Sequence, residues 1–287
     1  MRIRVVLAVF AALAVIAGAG VYIAVRSLSN GLPLHLVTQQ CIVSADGKAT
    51  LEPDQMANAA TIAAVGIRRG LPTRAVVIAL SAALQESKLE NLAGGDRDSI
   101  GLFQQRPSQD WGTPQEISNP RYAAGAFYTA LMRVRNWQGR SIAEAAQAVQ
   151  RSADGSAYAQ WEAEAQILAN ALSGDVSGAV ACTITAPPAA RGPAAAGSLA
   201  QSLTADWGEM DTVTDNSLPG LKLTVNETRN GWQIAHWLVA HSVDQNIKSV
   251  RYGDQEWTAK AGTWSRASGD RTVAAGDQII AAVYSQS

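Results

Sequence analysis

Helix start signals spaced through residues 50–174 constrain this fold more than any other feature of the sequence. Pro53 opens a first helix, and Asn119 stands before a proline at the start of another. Ser141 with Glu144 three residues later matches a capping box. Apolar side chains recur at helical spacing between these signals. The region therefore predicts a compact, mainly α domain.

The chain changes character at the stretch TAPPAARGPAAAGS, whose composition predicts a linker over residues 183–202. Beyond it, LKLTVNE and DQIIAAVYS indicate strands, and GWQIAHWLVAHSVDQN has the apolar face of a helix. The segment IKSVRYGDQEWTA indicates two strands joined by a Gly-Asp turn. Residues 203–287 are therefore predicted to form a small α/β domain, separate from a helical domain at residues 48–182.

The N-terminus carries an uncharged, apolar run from Val5 to Val25, preceded by Arg2 and Arg4. At about 1.5 Å per residue, the run matches the roughly 30 Å hydrocarbon core of a bilayer. A cleaved signal peptide is the alternative, because the small residues AGAG lie within the run. We expect residues 1–26 to form an uncleaved anchor and residues 27–47 a polar tether, with the remainder outside the cytoplasm.

The cysteines, the histidines and the net charge limit the cofactors and partners that we expect. In an exported protein, the two cysteines, Cys41 and Cys182, favour a disulfide that joins the ends of the helical region. Two free thiols are the alternative. The three histidines, His35, His236 and His241, show no ligand spacing with the cysteines, so we expect no metal or cofactor. A net charge of −1 gives no basis for nucleic-acid binding.

A lone Glu86-Ser87 pair ends an alanine-rich helical stretch and precedes a long loop. Ala82 and Ala83 lie one turn earlier, and Trp111 follows in a loop that can fold back over the carboxyl group. Such surroundings remove water from a carboxyl group and favour the protonated form that a general acid needs. Glycosidic cleavage requires that proton on the leaving oxygen. A solvated glutamate at a helix end is the alternative.

Glu86-Ser87 followed by SIGLFQ at residues 99–104 resembles the signature of the lysozyme-like superfamily, especially the soluble lytic transglycosylases. The resemblance covers about residues 50–175, and the whole chain resembles exported, membrane-anchored lysozyme-like proteins of actinobacteria. It implies that Glu86 is the catalytic acid/base and that Ser87 supports it. It also implies a sugar-binding groove, whose matching residues are Ser87, Ser99, Gly101, Leu102, Phe103, Gln104, Gln105, Gln150 and Tyr158.

The late part of the motif departs from the family pattern. A later helix in the family carries Ala-Tyr-Asn-Ala-Gly and then a tyrosine. Here QRSADGS replaces Asn-Ala-Gly, so Gln150 and Tyr158 are loose matches to the asparagine and the tyrosine. The resemblance also implies that Gly101 allows a sugar to approach the backbone.

A second carboxylate would decide the mechanism, because glycoside hydrolases use two carboxyl groups about 5 to 10 Å apart. Asp96 and Asp98 are the candidates. The alternative is that they cap backbone amides of their loop. In the resembling transglycosylases one glutamate suffices. It protonates the leaving oxygen with assistance from the substrate's N-acetyl group, and then deprotonates the C6 hydroxyl to give a 1,6-anhydro sugar.

The expected fold is a mainly α lysozyme-like domain, plus a small C-terminal α/β domain and an N-terminal transmembrane helix. The predicted function is an exported enzyme that cleaves the MurNAc–GlcNAc β-1,4 bond of peptidoglycan through Glu86, as a lytic transglycosylase or muramidase. The alternative, favoured by the altered late motif, is a non-catalytic peptidoglycan-binding or cell-envelope scaffold protein. The expected partners are glycan strands, the membrane and an envelope protein for the C-terminal domain.

Overall fold

Helices and two antiparallel sheets make up the fold in a computed structural model that describes residues 39–151, 155–215, 218–267 and 277–286. The helices are α1 (Pro53–Arg68), α2 (Thr73–Ser87), α3 (Pro114–Ile117), α4 (Pro120–Arg133), α5 (Ile142–Gln150), α6 (Glu162–Leu172), α7 (Gly192–Trp207) and α8 (Thr228–Ala240). Short 3-10 helices lie at Pro107–Gln109, Trp137–Gly139 and Gly155–Trp161. The strands are β1 (Gln40–Ser44), β2 (Lys48–Leu51), β3 (Val180–Thr183), β4 (Thr212–Asp215), β5 (Leu218–Thr224), β6 (Ile247–Tyr252), β7 (Gln255–Thr258), β8 (Trp264–Arg266) and β9 (Gln278–Val283).

The smaller sheet joins the two ends of the helical region. Its strand order is β2-β1-β3, and both pairings are antiparallel. Asp46 and Gly47 turn the chain from β1 into β2, with Asp46 in the left-handed region at φ 51°. Cys41 and Cys182 are direct partners in the register of β1 and β3, and the predicted disulfide between them is confirmed.

The larger sheet has the strand order β4-β5-β9-β6-β7-β8 and is antiparallel throughout. Helix α7 packs on β5, and helix α8 packs on β6 and β9. Both helices also contact α1. The buried apolar side chains of the sheet and of the N-terminal helices consequently form one continuous core.

Helices α4 and α5 begin at the capping residues that the sequence predicts. The Asn119 side chain accepts a hydrogen bond from the backbone N–H of Arg121 at the start of α4. At the start of α5, the Ser141 hydroxyl and the Glu144 carboxylate complete the predicted capping box. Helix α2 is rich in buried alanines, and these small side chains allow close packing against α6.

The predicted fold class, a mainly α lysozyme-like domain with a separate small α/β domain, is wrong. The described residues contain two sheets besides the helices, and the chain from Gln39 onward forms one compact unit. Helix α7 begins inside the stretch predicted as a linker, because Pro193 suits a first helical turn and alanine is the strongest helix former. Leu199 and Leu203 on α7 are fully buried in the shared core.

The predicted transmembrane helix at residues 5–25 lies outside the described residues. Within the described part of the chain, no helix has the length and apolar character needed to cross a bilayer.

Candidate active site

Helix α2 ends in a left-handed turn that leaves Glu86 half-buried in its last turn. Lys88 and Leu89 have φ values of 58° and 63°. Their backbone N–H groups donate to the carbonyls of Leu84 at 3.1 Å and Ala83 at 3.3 Å, which closes the helix end. The Leu89 side chain is fully buried and anchors this turn to the core.

Tyr158, on the 3-10 helix Gly155–Trp161, orients the Glu86 carboxyl group. Its hydroxyl donates a hydrogen bond to Glu86 Oε1 at 2.6 Å. The tyrosine ring is buried, and the Tyr158 carbonyl accepts a hydrogen bond from Ser81 Oγ at 3.0 Å. Glu86 Oε2 has no hydrogen-bond partner among the described residues. One carboxyl oxygen is therefore held in place, and the other remains available to a ligand.

Ser87 and Gln150 hold the segment that follows Glu86 in the motif. The buried Ser87 hydroxyl lies 2.7 Å from the Leu102 carbonyl oxygen and 3.1 Å from the Ala83 carbonyl oxygen. Gln150 Nε2 donates to the Phe103 carbonyl at 2.7 Å. Two consecutive carbonyls of the segment are thus fixed by side chains, and Ser87 supports this segment rather than the carboxyl group itself.

At Gly101 the backbone lies close to the backbone of Ile117. Its φ is 77°, and a Cβ atom at this position would lie 2.8 Å from the carbonyl oxygen of Ile117. The flanking residues Ile100 and Gln105 form an antiparallel bridge with N–H···O distances of 2.9 and 3.0 Å. Gln104 is half-buried, and its Nε2 donates to the Gly101 carbonyl at 3.2 Å. The tight turn accounts for this glycine without any sugar contact.

Most of the other residues matched to a sugar groove lie in the core. Leu102 is fully buried, and Phe103 stacks on Phe127 with ring centroids 4.7 Å apart. Gln105 and Ser99 are also buried. Because these side chains are buried, they are not placed to contact a ligand directly.

The two candidate second carboxylates occupy different surroundings. Asp98 Oδ2 accepts from the backbone N–H of Ser108 at 2.8 Å, and Oδ1 accepts from Arg106 Nε at 2.6 Å. These two hydrogen bonds, that from the Ser108 backbone first, hold the pKa of Asp98 well below its ordinary value. Asp96 is 92% exposed and lies 3.9 Å from Arg97. Asp98 therefore clamps its own loop, and neither aspartate hydrogen-bonds to Glu86.

Polar side chains beside Glu86 were not identified from the sequence. Gln85 Oε1 accepts hydrogen bonds from Trp161 Nε1 at 2.8 Å and from Gln160 Nε2 at 3.1 Å. The Lys88 ammonium group lies 4.0 Å from the centroid of the Trp161 ring. No local signal pairs these residues, because they are separated by more than 70 positions in the chain.

A groove of about 900 Å³ is formed by the ends of α1 and α5, by α4 and by the loop before α3. We call it the arginine groove, and its defining residues are Arg69, Trp111, Tyr122, Arg133, Gln150 and Arg151. Gln150 connects it to the motif segment through the Phe103 carbonyl. Glu86 does not line it. Trp111 and Gln150 are the groove residues that the sequence indicates, whereas the arginines are spread over three helix ends.

Neither a protein-family model nor a curated protein matches this chain. The resemblance of residues 86–104 to the lysozyme-like superfamily therefore stays a prediction from the motif.

Proposed function

We propose that this protein is an exported enzyme that cleaves the MurNAc–GlcNAc β-1,4 bond of peptidoglycan, with Glu86 as its acid/base. One observation carries the proposal, namely the 2.6 Å hydrogen bond from the Tyr158 hydroxyl to Glu86 Oε1. The two residues are 72 positions apart, and the motif resemblance gives Glu86 as the acid/base and Tyr158 as a loose match to the late tyrosine. An oriented carboxyl group with one unbonded oxygen is what general acid catalysis requires.

The reaction divides into two proton transfers at one carboxyl group. Glu86 Oε2 first donates its proton to the glycosidic oxygen as the C1–O bond breaks, and the substrate's N-acetyl group stabilises the positive charge at C1. The Glu86 carboxylate then accepts the proton of the C6 hydroxyl, whose oxygen bonds to C1. The product is a 1,6-anhydro sugar, and Glu86 is protonated again. Tyr158 holds Oε1 throughout.

A single-carboxylate mechanism is favoured by the surroundings of the two aspartates. Asp98 has both oxygens bonded within its loop, and Asp96 is almost fully exposed. A hydrolase would need one of them beside the sugar to activate water or to act as a nucleophile. The proposed enzyme is therefore a lytic transglycosylase rather than a muramidase.

The disulfide between Cys41 and Cys182 supports an extracytoplasmic location, because disulfides persist in oxidising compartments. We propose that the apolar residues 5–25 anchor the chain in the membrane, with the remainder outside the cytoplasm.

A second candidate function is a non-catalytic peptidoglycan-binding protein. It is favoured by the position of the arginine groove, which is a large cavity with Glu86 outside its lining. In that case the groove would hold the glycan, and Glu86 would have a structural role.

The test is mass spectrometry of muropeptides after incubation of peptidoglycan with the full chain or with its Glu86→Gln variant. Glutamine keeps the oxygen that accepts from Tyr158 but has no acidic proton, so cleavage should fall by about 10²- to 10⁴-fold. Glu90→Gln is the matched control, because Glu90 is exposed and lies just past the helix end; it should retain full activity.

Each product pattern has a distinct meaning. Anhydro-muropeptides that disappear in Glu86→Gln support the transglycosylase. Reducing-end products would make the enzyme a hydrolase and would favour Asp96 as its second carboxylate. A parent protein that binds glycan without cleaving it would favour the binding protein. Thermal unfolding of both variants identifies any loss that results from misfolding.

A further inference from the structure

We propose that the arginine groove binds carboxylate groups carried by the glycan strand that reaches Glu86. The inference rests on the proposed function for the identity of the strand, and it adds a charge preference that the motif does not imply. It concerns residues on the three helix ends, away from the Glu86 carboxyl group.

The charge of the groove differs from that of the whole chain. Arg69, Arg133 and Arg151 line it, and Asp110 is the one acidic residue among its described lining residues, which leaves a net charge of +2. The complete chain has a net charge of −1. A concave surface with an excess of one charge concentrates ligands of the opposite charge. The groove therefore favours an anion.

The arginines differ in what they already bond. Arg69 donates to the Gly125 carbonyl at 2.5 Å and to Thr129 Oγ1 at 2.9 Å, so its guanidinium group is fixed against α4. Arg133 and Arg151 are exposed, and their side chains make no hydrogen bond or ion pair with the described residues. Their guanidinium groups are free to pair with carboxylates, which the planar fork of arginine suits.

Helix ends offer a simpler explanation for each arginine, because a cation near the last turn interacts favourably with the helix dipole. Arg69 follows α1, Arg133 ends α4 and Arg151 follows α5. That explanation treats each arginine separately. It does not account for three helix ends that bring their arginines to one groove.

Two aromatic side chains give the same groove flat apolar surfaces. Trp111 is half-buried, and Tyr122 is 37% exposed. Gly112, next to Trp111 in the chain, lies close to Tyr122, since its φ is 129° and a Cβ atom there would lie 2.5 Å from the Tyr122 hydroxyl. Aromatic faces beside a few polar groups are typical of sites for organic ligands. A sugar ring fits these faces, whereas a small inorganic anion would leave them uncovered.

Gln150 is the residue that connects the groove to the segment bonded to Ser87, next to Glu86 in the chain. Gln150 lines the groove and also holds the Phe103 carbonyl, and the preceding carbonyl, that of Leu102, is held by Ser87. The groove volume of about 900 Å³ is near the upper end of the usual range for ligand sites. The occupant is therefore a glycan with acidic substituents, such as uncrosslinked peptide stems, rather than a free carboxylate.

The experiment measures binding to the full-length Glu86→Gln protein, so that no ligand is consumed. The probe is a short, uncrosslinked peptidoglycan strand, either with free stem carboxylates or with those carboxylates amidated. Introducing both Arg133→Gln and Arg151→Gln into the Glu86→Gln protein should weaken its binding of the acidic strand about tenfold. Amidation should weaken binding to the parent by a similar factor, and added salt should reduce the difference.

Arg135→Gln is the matched control, since Arg135 is exposed and close in sequence to Arg133 but does not line the groove. It should change the affinity by less than about twofold. Equal affinity of the double variant and the parent for the acidic strand would overturn the proposal. Equal affinity of the parent for acidic and amidated strands would also overturn it.

The cleavage test under the proposed function separates the two proposals. If the protein cleaves the glycan but binds acidic and amidated strands equally, the groove proposal is wrong and the catalytic proposal stands. Charge-dependent binding by a protein that cleaves nothing removes the catalytic proposal and leaves the groove as an anionic-glycan site.

Discussion

The polar cluster at Glu86 and the polar cluster at Asp206 differ in how many carboxylate oxygens remain available. Asp206 on α7 is fully buried, and its Oδ2 accepts from Trp237 Nε1 at 2.8 Å and from Thr61 Oγ1 at 3.2 Å. Its Oδ1 pairs with Arg121. Glu86 is half-buried, and within the described chain only its Oε1 is bonded. The Asp206 cluster is complete within the protein, whereas the Glu86 cluster has room for one more partner.

The two clusters differ in accessibility rather than in residue types, because the Asp206 cluster also contains a hydroxyl, an imidazole and a carboxylate in a catalytic order. Thr61 Oγ1 lies 3.4 Å from His241 Nε2, and His241 Nδ1 lies 2.9 Å from Asp244 Oδ2. A hydroxyl, an imidazole and a carboxylate in that sequence resemble a nucleophilic triad. Both Thr61 and His241 are 4% exposed, so no substrate reaches them. This cluster joins α1, α4, α7 and α8 within the protein.

The largest expected effect on stability comes from Asp206→Asn. The change leaves the Arg121 guanidinium group without its carboxylate partner in a partly buried position. We expect the free energy of unfolding to fall by about 3 to 5 kcal/mol, measured by urea denaturation. Asp254→Asn is the control, because the exposed Asp254 lies 3.9 Å from Arg266, and its loss should cost less than about 1 kcal/mol. Similar losses for both variants would show that the buried Asp206 cluster contributes no more to stability than an exposed ion pair.

His236 on α8 should make the fold sensitive to acid. Its Nε2 accepts from the backbone N–H of Ala179 at 2.9 Å, and its Nδ1 donates to the Ala171 carbonyl at 2.8 Å, so only the neutral ring fits. Burial lowers the pKa of His236 from 6.5 to about 4. The imidazole binds a proton more readily in the unfolded chain than in the fold. The contribution of His236 to the free energy of unfolding should therefore be fully present above pH 6.5 and fall by about 3 kcal/mol as the pH drops to 4.

The measurement is denaturant unfolding of the parent and of His236→Gln at several pH values. Glutamine retains an acceptor and a donor but does not titrate. The variant should therefore lose about 3 kcal/mol less than the parent across this range. Parallel losses in the two proteins would show that other groups cause the acid sensitivity.

The smallest effect on stability is expected for Tyr158→Phe, which tests whether the Tyr158 hydroxyl positions Glu86. The change removes the hydroxyl that holds Oε1 and keeps the buried ring. The cleavage rate should fall about tenfold, with the free energy of unfolding changed by roughly 1 kcal/mol. Muropeptide release at saturating and at low substrate tests whether kcat changes while KM does not. An unchanged kcat would mean that the hydrogen bond has no role in positioning Glu86.

Helices with local start signals are predictable from this sequence, and the contacts between distant segments are not. The capping residues Asn119 and Ser141 predict α4 and α5 because their partners are two and three residues away. The Asp46-Gly47 turn and Pro193 are equally local signals for the first hairpin and for α7. These two signals were missed because the composition around the first is typical of a tether and the composition around the second is typical of a linker. The hydrogen bond between Thr61 and Asp206 spans 145 residues, and no local pattern encodes it.

The candidate site divides in the same way. The motif predicts Glu86 and Tyr158, which the structure brings together. It also suggests Leu102 and Phe103 as ligand contacts, although both side chains are buried. A motif contains both residues that pack in the core and residues that face a ligand, and the sequence does not show which side chains face which way. The arginines of the groove come from three helix ends and have no common sequence signal.

The disulfide has a mechanical consequence for a chain held at its N-terminus. Tension applied through the residues before Gln39 would enter the fold at β1 and reach Cys41 within that strand. The covalent bond to Cys182 then passes the load directly to β3, so the hydrogen bonds between the two strands are not pulled apart. Beyond Cys41, β1 and β2 lie inside the closed loop and are shielded from the force. A protein tethered in this way would withstand pulling better than its hydrogen bonds alone allow.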